Sequence, residues 1–503
     1  MKVEHFPPLM FAGLILIMLI GFPVAFSLSA LGLLCAFIAV QMGWFPAAFM
    51  GNLPFNVFGI LSNDLLLAIP FFTLMGAILE KCGLAEDMLD SMGQLFGSVR
   101  GGVGYSVILI GFILGAITGT VAGQVIAMTM IALPVMVRYG YKMRYATGVL
   151  AASGTITQLV PPSLVLIVLA DQLGKPVGDM YQGAWGPSIL QVLLFALYTF
   201  ALSRLRPQDV PGLPPEARTL LGWALWRKCL RGIIPSAILI FAVLGSMGGL
   251  PGMNTAVATP TEAGAMGAVG AFILAAVHRR LSWPLVKEGI TGTMRITAMV
   301  VFILIGSRVF SLVFQGVDGG LWVEHLFSGL PGGQIGFLIV VNILIFFLAF
   351  FLDFFEIAFI ILPMLAPVAA KMGIDLIWFG VMLCVNMQTS FMHPPFGFAL
   401  FYLRGISDTL FTSGTLKEKV KSSDIYMGAI PFVVLQLVLV GVVIFFPQTV
   451  MVFLDKKAII DADKIKIEVP AQEESDPASN QKQIQELFGG GSKSETPKGE
   501  PAQ

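Results

Sequence analysis

Two stretches decide the reading: Ser153-Gly154-Thr155-Ile156-Thr157-Gln158-Leu159-Val160-Pro161-Pro162 and Asn386-Met387-Gln388-Thr389-Ser390-Phe391-Met392-His393-Pro394-Pro395. Each lies inside an apolar run, 146–170 and 376–403. Each places hydroxyl or amide side chains just before a Pro-Pro pair. Proline removes a backbone donor and breaks a helix. A break at membrane depth frees carbonyl and N–H groups, which are tolerated only where protein, an ion or a water-filled cavity satisfies them. One such pair reads as a kink that eases packing. Two, at corresponding places in the chain, point to the binding site of a carrier.

The rest of the chain is built for lipid. Of 503 residues, 56% are hydrophobic and 12% charged, against about 25% charged in a soluble domain. Mean hydropathy is +0.85. A soluble enzyme, a disordered protein and a fibrous repeat are excluded, and a polytopic membrane protein remains. Thirty Lys and Arg balance thirty Asp and Glu, so no basic excess holds nucleic acid. Cys35, Cys82, Cys229 and Cys384 are scattered and form no disulfide framework or zinc motif. Other runs able to cross, whole or as paired pieces, lie at 9–20 with 24–40, 66–80, 103–137, 185–203, 233–248 with 259–277, 296–314, 334–370 and 426–453.

Basic residues set the sidedness. The loops 138–145, 204–231 and 278–295 are rich in Lys and Arg, whereas 41–64 and 315–333 have none. The first set is expected in the cytoplasm and the second outside. With those sides fixed, the two halves read in the same order with opposite orientation. The predicted fold is an all-α polytopic membrane protein made of two inverted-topology repeats with re-entrant helical hairpins and broken helices, the pattern of an ion-coupled secondary transporter. The first repeat is expected over 1–204 (hairpin 103–137, broken helix 146–170). A cytoplasmic connecting loop follows at 205–232. The second repeat spans 233–454 (hairpin 334–370, broken helix 376–403), and a disordered polar tail 455–503. Leu133-Pro134 and Leu362-Pro363 leave the two hairpins alike.

Hard cations such as Na⁺ take oxygen ligands. The breaks offer Ser153, Thr155, Thr157, Asn386, Gln388, Thr389 and Ser390, and the hairpins add Thr118, Gly119, Thr120, Gln124, Asp353 and Glu356. A hairpin tip meeting a broken helix in each half makes two similar sites, where exposed helix N-termini attract a carboxylate. Against this, a lone hydroxyl in a membrane helix commonly bonds its own backbone, and Asp353 with Glu356 can simply cap a short helix. Glu262, Arg308, Asp353, Glu356 and His393 are the ionisable residues expected at membrane depth, where charge is costly and functional by default. Pro161, Pro162, Glu356, His393, Pro394 and Pro395 are the candidate substrate contacts. No nucleotide-binding loop or metalloprotease motif occurs, so the chain is not expected to be an enzyme. A stand-alone proton- or cation-coupled anion carrier is the alternative. An intramembrane hydrolase using Asp353 and Glu356 would leave the repeat unexplained, and no filter-like loop supports a channel.

Several stretches together resemble one family: Leu67-Ala68-Ile69-Pro70-Phe71-Phe72-Thr73-Leu74-Met75-Gly76, Thr259-Pro260-Thr261-Glu262-Ala263-Gly264-Ala265, Phe351-Leu352-Asp353-Phe354-Phe355-Glu356-Ile357-Ala358, Trp378-Phe379-Gly380-Val381, and Asn386 through Tyr402. The chain is similar, over about residues 7 to 450, to the large membrane (permease) subunit of tripartite ATP-independent periplasmic (TRAP) transporters. The resemblance implies a multi-pass protein of the bacterial inner membrane that imports an organic anion, typically a carboxylate, with Na⁺ as coupling ion and no other cofactor. It implies a periplasmic substrate-binding protein, a small membrane subunit (here expected as a separate chain) and an elevator motion. It puts Na⁺ between hairpin tip and broken helix in each half: at Thr118, Gly119 and Thr120 with Ser153, Gly154 and Thr155, and at Asp353 with Asn386, Gln388, Thr389 and Ser390. The chain departs from the family pattern where Val121 ends Thr118-Gly119-Thr120-Val121 in place of a hydroxyl, and where His393 stands in place of Thr.

Overall fold

In hydrocarbon every backbone polar group needs an internal partner, and a helix supplies one locally. The computed structural model is accordingly helical, with no strand among the described residues, which are 3–217, 222–253, 255–350, 352–393 and 397–454. Pro394, Pro395 and the tail 455–503 lie outside them. The first half runs through α1 (Phe6–Ile20), α2 (Val24–Gln41), α3 (Leu53–Leu61), α4 (Ala68–Lys81), α5 (Leu84–Leu95), α6 (Gly102–Thr118), α7 (Val121–Arg138), α8 (Met143–Thr155), α9 (Leu164–Leu173) and α10 (Val177–Leu205). The second runs through α11 (Trp223–Ser246), α12 (Pro260–Val277), α13 (Trp283–Gly316), α14 (Gly319–Ser328), α15 (Gly333–Leu348), α16 (Phe354–Glu356), α17 (Leu362–Lys371), α18 (Leu376–Met387), α19 (Phe398–Thr412), α20 (Ser422–Phe445) and α21 (Gln448–Met451).

Among the described residues, nine helices are long and apolar enough to cross a membrane. The arms α6 and α15 and the half-helices α9 and α18 are apolar but shorter. A helix of ten residues, such as α9, reaches only about half the bilayer core at ~1.5 Å per residue. Five elements differ from the sequence expectation. The stretch 41–64, read as an external loop, contains α3, which joins α4 across a bend of 46°. Helices α5 and α14 lie in stretches read as loops. Helix α11 begins at Trp223, inside the expected connecting loop, because Arg227, Lys228 and Arg231 extend the apolar helix without breaking it. Helix α13 likewise starts at Trp283 and carries Arg295 within it.

The two hairpins turn by different devices. Helix α6 stops at Gly119, whose φ of 62° a side chain would disfavour. Thr120 is extended and α7 starts at once. In the second hairpin Asp353 caps α16: its Oδ1 accepts from Glu356 N (3.0 Å), and Glu356 Oε2 accepts from Asp353 N (3.0 Å). A π-helical turn, Ile357–Ile361, then leads into α17. Pro363 has no N–H to give Phe359 O, and Ser307 of α13 donates to that carbonyl instead.

The halves interleave. Helix α2 packs along α13 and α4 along α12. Helix α8 lies along α20 and α18 along α10, while α19 packs on α7 and α9 on α17. Loops gather at the two ends of α10, which is about 43 Å long at ~1.5 Å per residue. At one end Lys142 pairs with Asp209 (3.3 Å), Arg144 with Asp424 (3.0 Å), and Gly101 N donates to Val210 O (2.9 Å). At the other Gln182 donates to Gly248 O (2.6 Å) and Met253 O (2.8 Å).

Candidate functional site

The first break is organised by Gln124 of α7. Its amide donates to Gly111 O on α6 (2.7 Å) and to Ser153 O on α8 (2.8 Å). Its Oε1 accepts from Thr118 at the hairpin tip (3.3 Å) and from Thr157. One buried side chain thus joins tip, hairpin arm and broken helix. Ser153 and Thr155 donate to Leu150 O and Ala152 O (both 2.9 Å), so their oxygens remain acceptors. Thr118, Ser153, Thr155 and Thr157 are all buried. Helix α8 ends in the short turn Ile156–Gln158, and after the cis Pro161–Pro162 peptide Ser163 caps α9. Gly119 and Thr120 make the tip. Gly154 packs on Val125 of α7.

The second break repeats the plan with other residues. Asn386 Nδ2 donates to Asn342 O (2.8 Å) and Oδ1 (3.0 Å) on hairpin arm α15. Its own Oδ1 is buried without a partner. Thr389 and Ser390 donate to Asn386 O (2.7 Å) and Met387 O (2.6 Å). Asn342 and Gly111 stand at the same position in α15 and α6, and Asn386 and Ser153 at the same position in α18 and α8. Close arm-to-helix approach therefore recurs, once through a glycine and once through paired amides. Asp353 and Glu356 spend one oxygen each on the cap described above.

The two breaks meet. Thr155 Oγ1 lies 3.9 Å from Met392 Sδ, and Cys384 Sγ lies 3.3 Å from Gln158 O. Gln388 Oε1 accepts from Gln191 of α10 (2.5 Å) and from Gln436 of α20 (3.5 Å). Gln436 Nε2 also donates to Thr155 Oγ1 (2.9 Å). Asn342, Gln191 and Gln436 were not among the residues expected from sequence. The sequence shows each only as an amide among apolar neighbours, with no spacing to single it out.

Other expected residues separate from this centre. Glu262 is exposed and closes a capping box with Thr259 at the start of α12, so it caps a helix apart from the two breaks. His393 is buried, stacked on Phe350 at 4.4 Å and edge-on to Phe346 at 4.4 Å, and neither ring nitrogen has a partner. Arg308 faces a different cavity of about 610 Å³, lined also by Asn52, Asn56, Asn63, Asp171 and Gln315. Asp171 there accepts from Asn63 (2.8 Å) and Gln172 (2.7 Å). Arg308 is exposed, and no described carboxylate pairs with it.

The family model for the tripartite ATP-independent periplasmic transporter, DctM component, matches residues 11–449. The chain belongs to the DctM family. It is the large permease type of TRAP subunit, a multi-pass membrane protein and not a member of an enzyme family. It is 28% identical over 416 residues to the C4-dicarboxylate TRAP transporter large permease protein DctM of Rhodobacter capsulatus, covering 79% of this chain and 90% of that one. It is 26% identical over 434 residues to the 2,3-diketo-L-gulonate TRAP transporter large permease protein YiaN of Escherichia coli, covering 86% and 95%. The isethionate TRAP transporter permease protein DctMQ of Oleidesulfovibrio alaskensis is 24% identical over 447 residues, covering 89% of this chain and 66% of that one. Among solved structures, the Alcanivorax borkumensis YdaH transporter superposes with a TM-score of 0.54 at 16% identity, covering 80% of this chain and 87% of that one. That likeness is one of fold.

Proposed function

We propose that this DctM-family chain imports a small organic anion carrying a carboxylate, driven by Na⁺, across the inner membrane of a bacterium. A periplasmic binding protein delivers the anion, and a small membrane subunit supports the permease. One observation carries the reading: two helix breaks meet at the centre, each facing a hairpin arm and each lined with buried oxygens. The donor set suits Na⁺, because it is hydroxyl, amide and carbonyl oxygen, and Asn386 Oδ1 is buried without a hydrogen bond. Ser153 and Thr155 with the tip Thr118–Gly119–Thr120 would hold one ion; Asn386, Gln388, Thr389 and Ser390 with Asp353 would hold the other. The substrate would meet the breaks at Pro161, Pro162, Glu356, His393, Pro394 and Pro395.

The relatives' names include a dicarboxylate, a keto-sugar acid and isethionate, so what they share is an anion. Arg308, at the cavity beside α3 and α9, would meet that anion on its external approach. The hairpins, broken helices, α10 and α20 would move together as an elevator against α2, α4, α12 and α13. The two halves would be inverted repeats.

The deciding experiment is uptake into proteoliposomes containing this chain, its small subunit and a succinate-loaded binding protein. Accumulation that follows an imposed Na⁺ gradient is expected. Equal accumulation without Na⁺ would overturn Na⁺ coupling, and uptake by this chain alone would favour the stand-alone carrier.

A further inference from the structure

Gln191 and Gln436 occupy the same position counted from the starts of α10 and α20. Each reaches the broken helix of the opposite half, Gln191 to Gln388 just past α18 and Gln436 to Thr155 of α8. Gln388 and Thr155 are themselves matched, one following α18 and the other ending α8. All four side chains are fully buried. The arrangement is not quite even, because Gln436 alone also reaches the other break, 3.5 Å from Gln388 Oε1. The chemistry fixes why an amide stands there. Thr155 has given its proton to Ala152 O, and Gln388 Oε1 already accepts from Gln191. Two acceptors face each other, and an amide nitrogen with two protons can serve both at once. Without Gln436, Gln388 Oε1 keeps only Gln191 and Thr155 Oγ1 keeps only its own donation to Ala152 O, so nothing spans the two breaks at this point.

We infer that Gln436 is a positioning residue that couples the two halves of the site, transmitting occupancy at the Ser153–Thr155 break to the Asn386–Ser390 break. This rests on the Na⁺ reading above. An ion that draws Thr155 Oγ1 toward itself moves the shared nitrogen and changes its hold on Gln388. Each ion then alters the affinity for the other by the same factor. Gln191 touches only one break and holds it without linking the two.

The test is equilibrium Na⁺ binding to the full reconstituted complex, read by titration calorimetry, because uptake that needs both ions is sigmoidal even without coupling. Wild type is expected to respond sigmoidally. Gln436→Leu, and Gln436→Asn, which keeps an amide too short to span both acceptors, should give hyperbolic curves with a Hill coefficient falling to about 1. Gln191→Leu should raise the half-saturating Na⁺ concentration and keep the sigmoid. The two leucine variants bury the same side chain, so a packing role alone would move both alike. Sigmoidal curves in all variants, or a hyperbolic wild type, would overturn the coupling. A wild type indifferent to Na⁺ would overturn the Na⁺ reading itself. Thermal melting of each purified variant with and without Na⁺ identifies a folding failure, and the Gln436→Asn curve then decides.

Discussion

Asn386 is the residue on which the second site turns. Its Nδ2 supplies both acceptors of Asn342. Truncation to alanine leaves Asn342 Oδ1 unpaired, at about 1–3 kcal/mol, and deletes an oxygen proposed to hold Na⁺. Asn386→Ala should raise half-saturating Na⁺ about tenfold or more. Ser27→Ala, which removes a hydroxyl bonded to Pro23 O in α2, should leave it unchanged. A Na⁺ titration of uptake separates the two, and equal shifts would place the ion elsewhere. Arg308 is expected to act on substrate and not on the ion. Arg308→Gln should raise the apparent KM for the loaded binding protein or its anion about tenfold, the worth of one charged hydrogen bond (~1.5 kcal/mol), at unchanged kcat. Arg308→Lys should do less. At this scale the hydroxyls of the breaks were legible in the sequence, because polar residues beside Pro-Pro in an apolar run are conspicuous. Gln191, Gln436 and Asn342 were not, because a lone amide in a long helix has no local pattern and only tertiary packing pairs it. The opposite happened with Glu262, whose place in an apolar-looking run hid an exposed cap.

The hairpins differ as elements although they occupy corresponding places in the chain. The π-turn before α17 depends on an outside donor, Ser307, for the carbonyl that Pro363 leaves idle. Ser307→Ala should lower the melting temperature in detergent, by the cost of one buried orphan carbonyl of about 1–3 kcal/mol. Ser307→Thr, which keeps the donor, should restore most of it. No change with alanine would mean the carbonyl finds another partner. Long apolar runs announced most of the membrane helices. Helices α5 and α14 escaped notice for a physical reason. Each is only about three turns long, and α5 mixes Glu86, Asp87 and Asp90 with its apolar residues. Such a segment has neither the length nor the hydropathy of a span.

Over the whole molecule, the seam between α4 and the first hairpin sets how closely the parts approach. A Cβ on Gly76 would fall 2.2 Å from Thr118 O. Gly76→Val should therefore arrest uptake while the subunits still assemble, checked by transport assay beside co-purification of the small subunit. Full activity would show that the seam is looser in the working cycle. The interleaving has a further result, for biogenesis. From the second half, the flank of α8 is covered chiefly by α20, with α19 beside it, and Thr147 Oγ1 is bonded to Asp424 O (3.2 Å). A ribosome therefore completes ten helices of the first half well before their seals emerge. A nascent chain halted ahead of Ser422 carries an open flank into the lipid. A fragment expressed as residues 1–421 should be cleared by proteolysis, and supplying 422–503 in trans should raise its abundance on immunoblots.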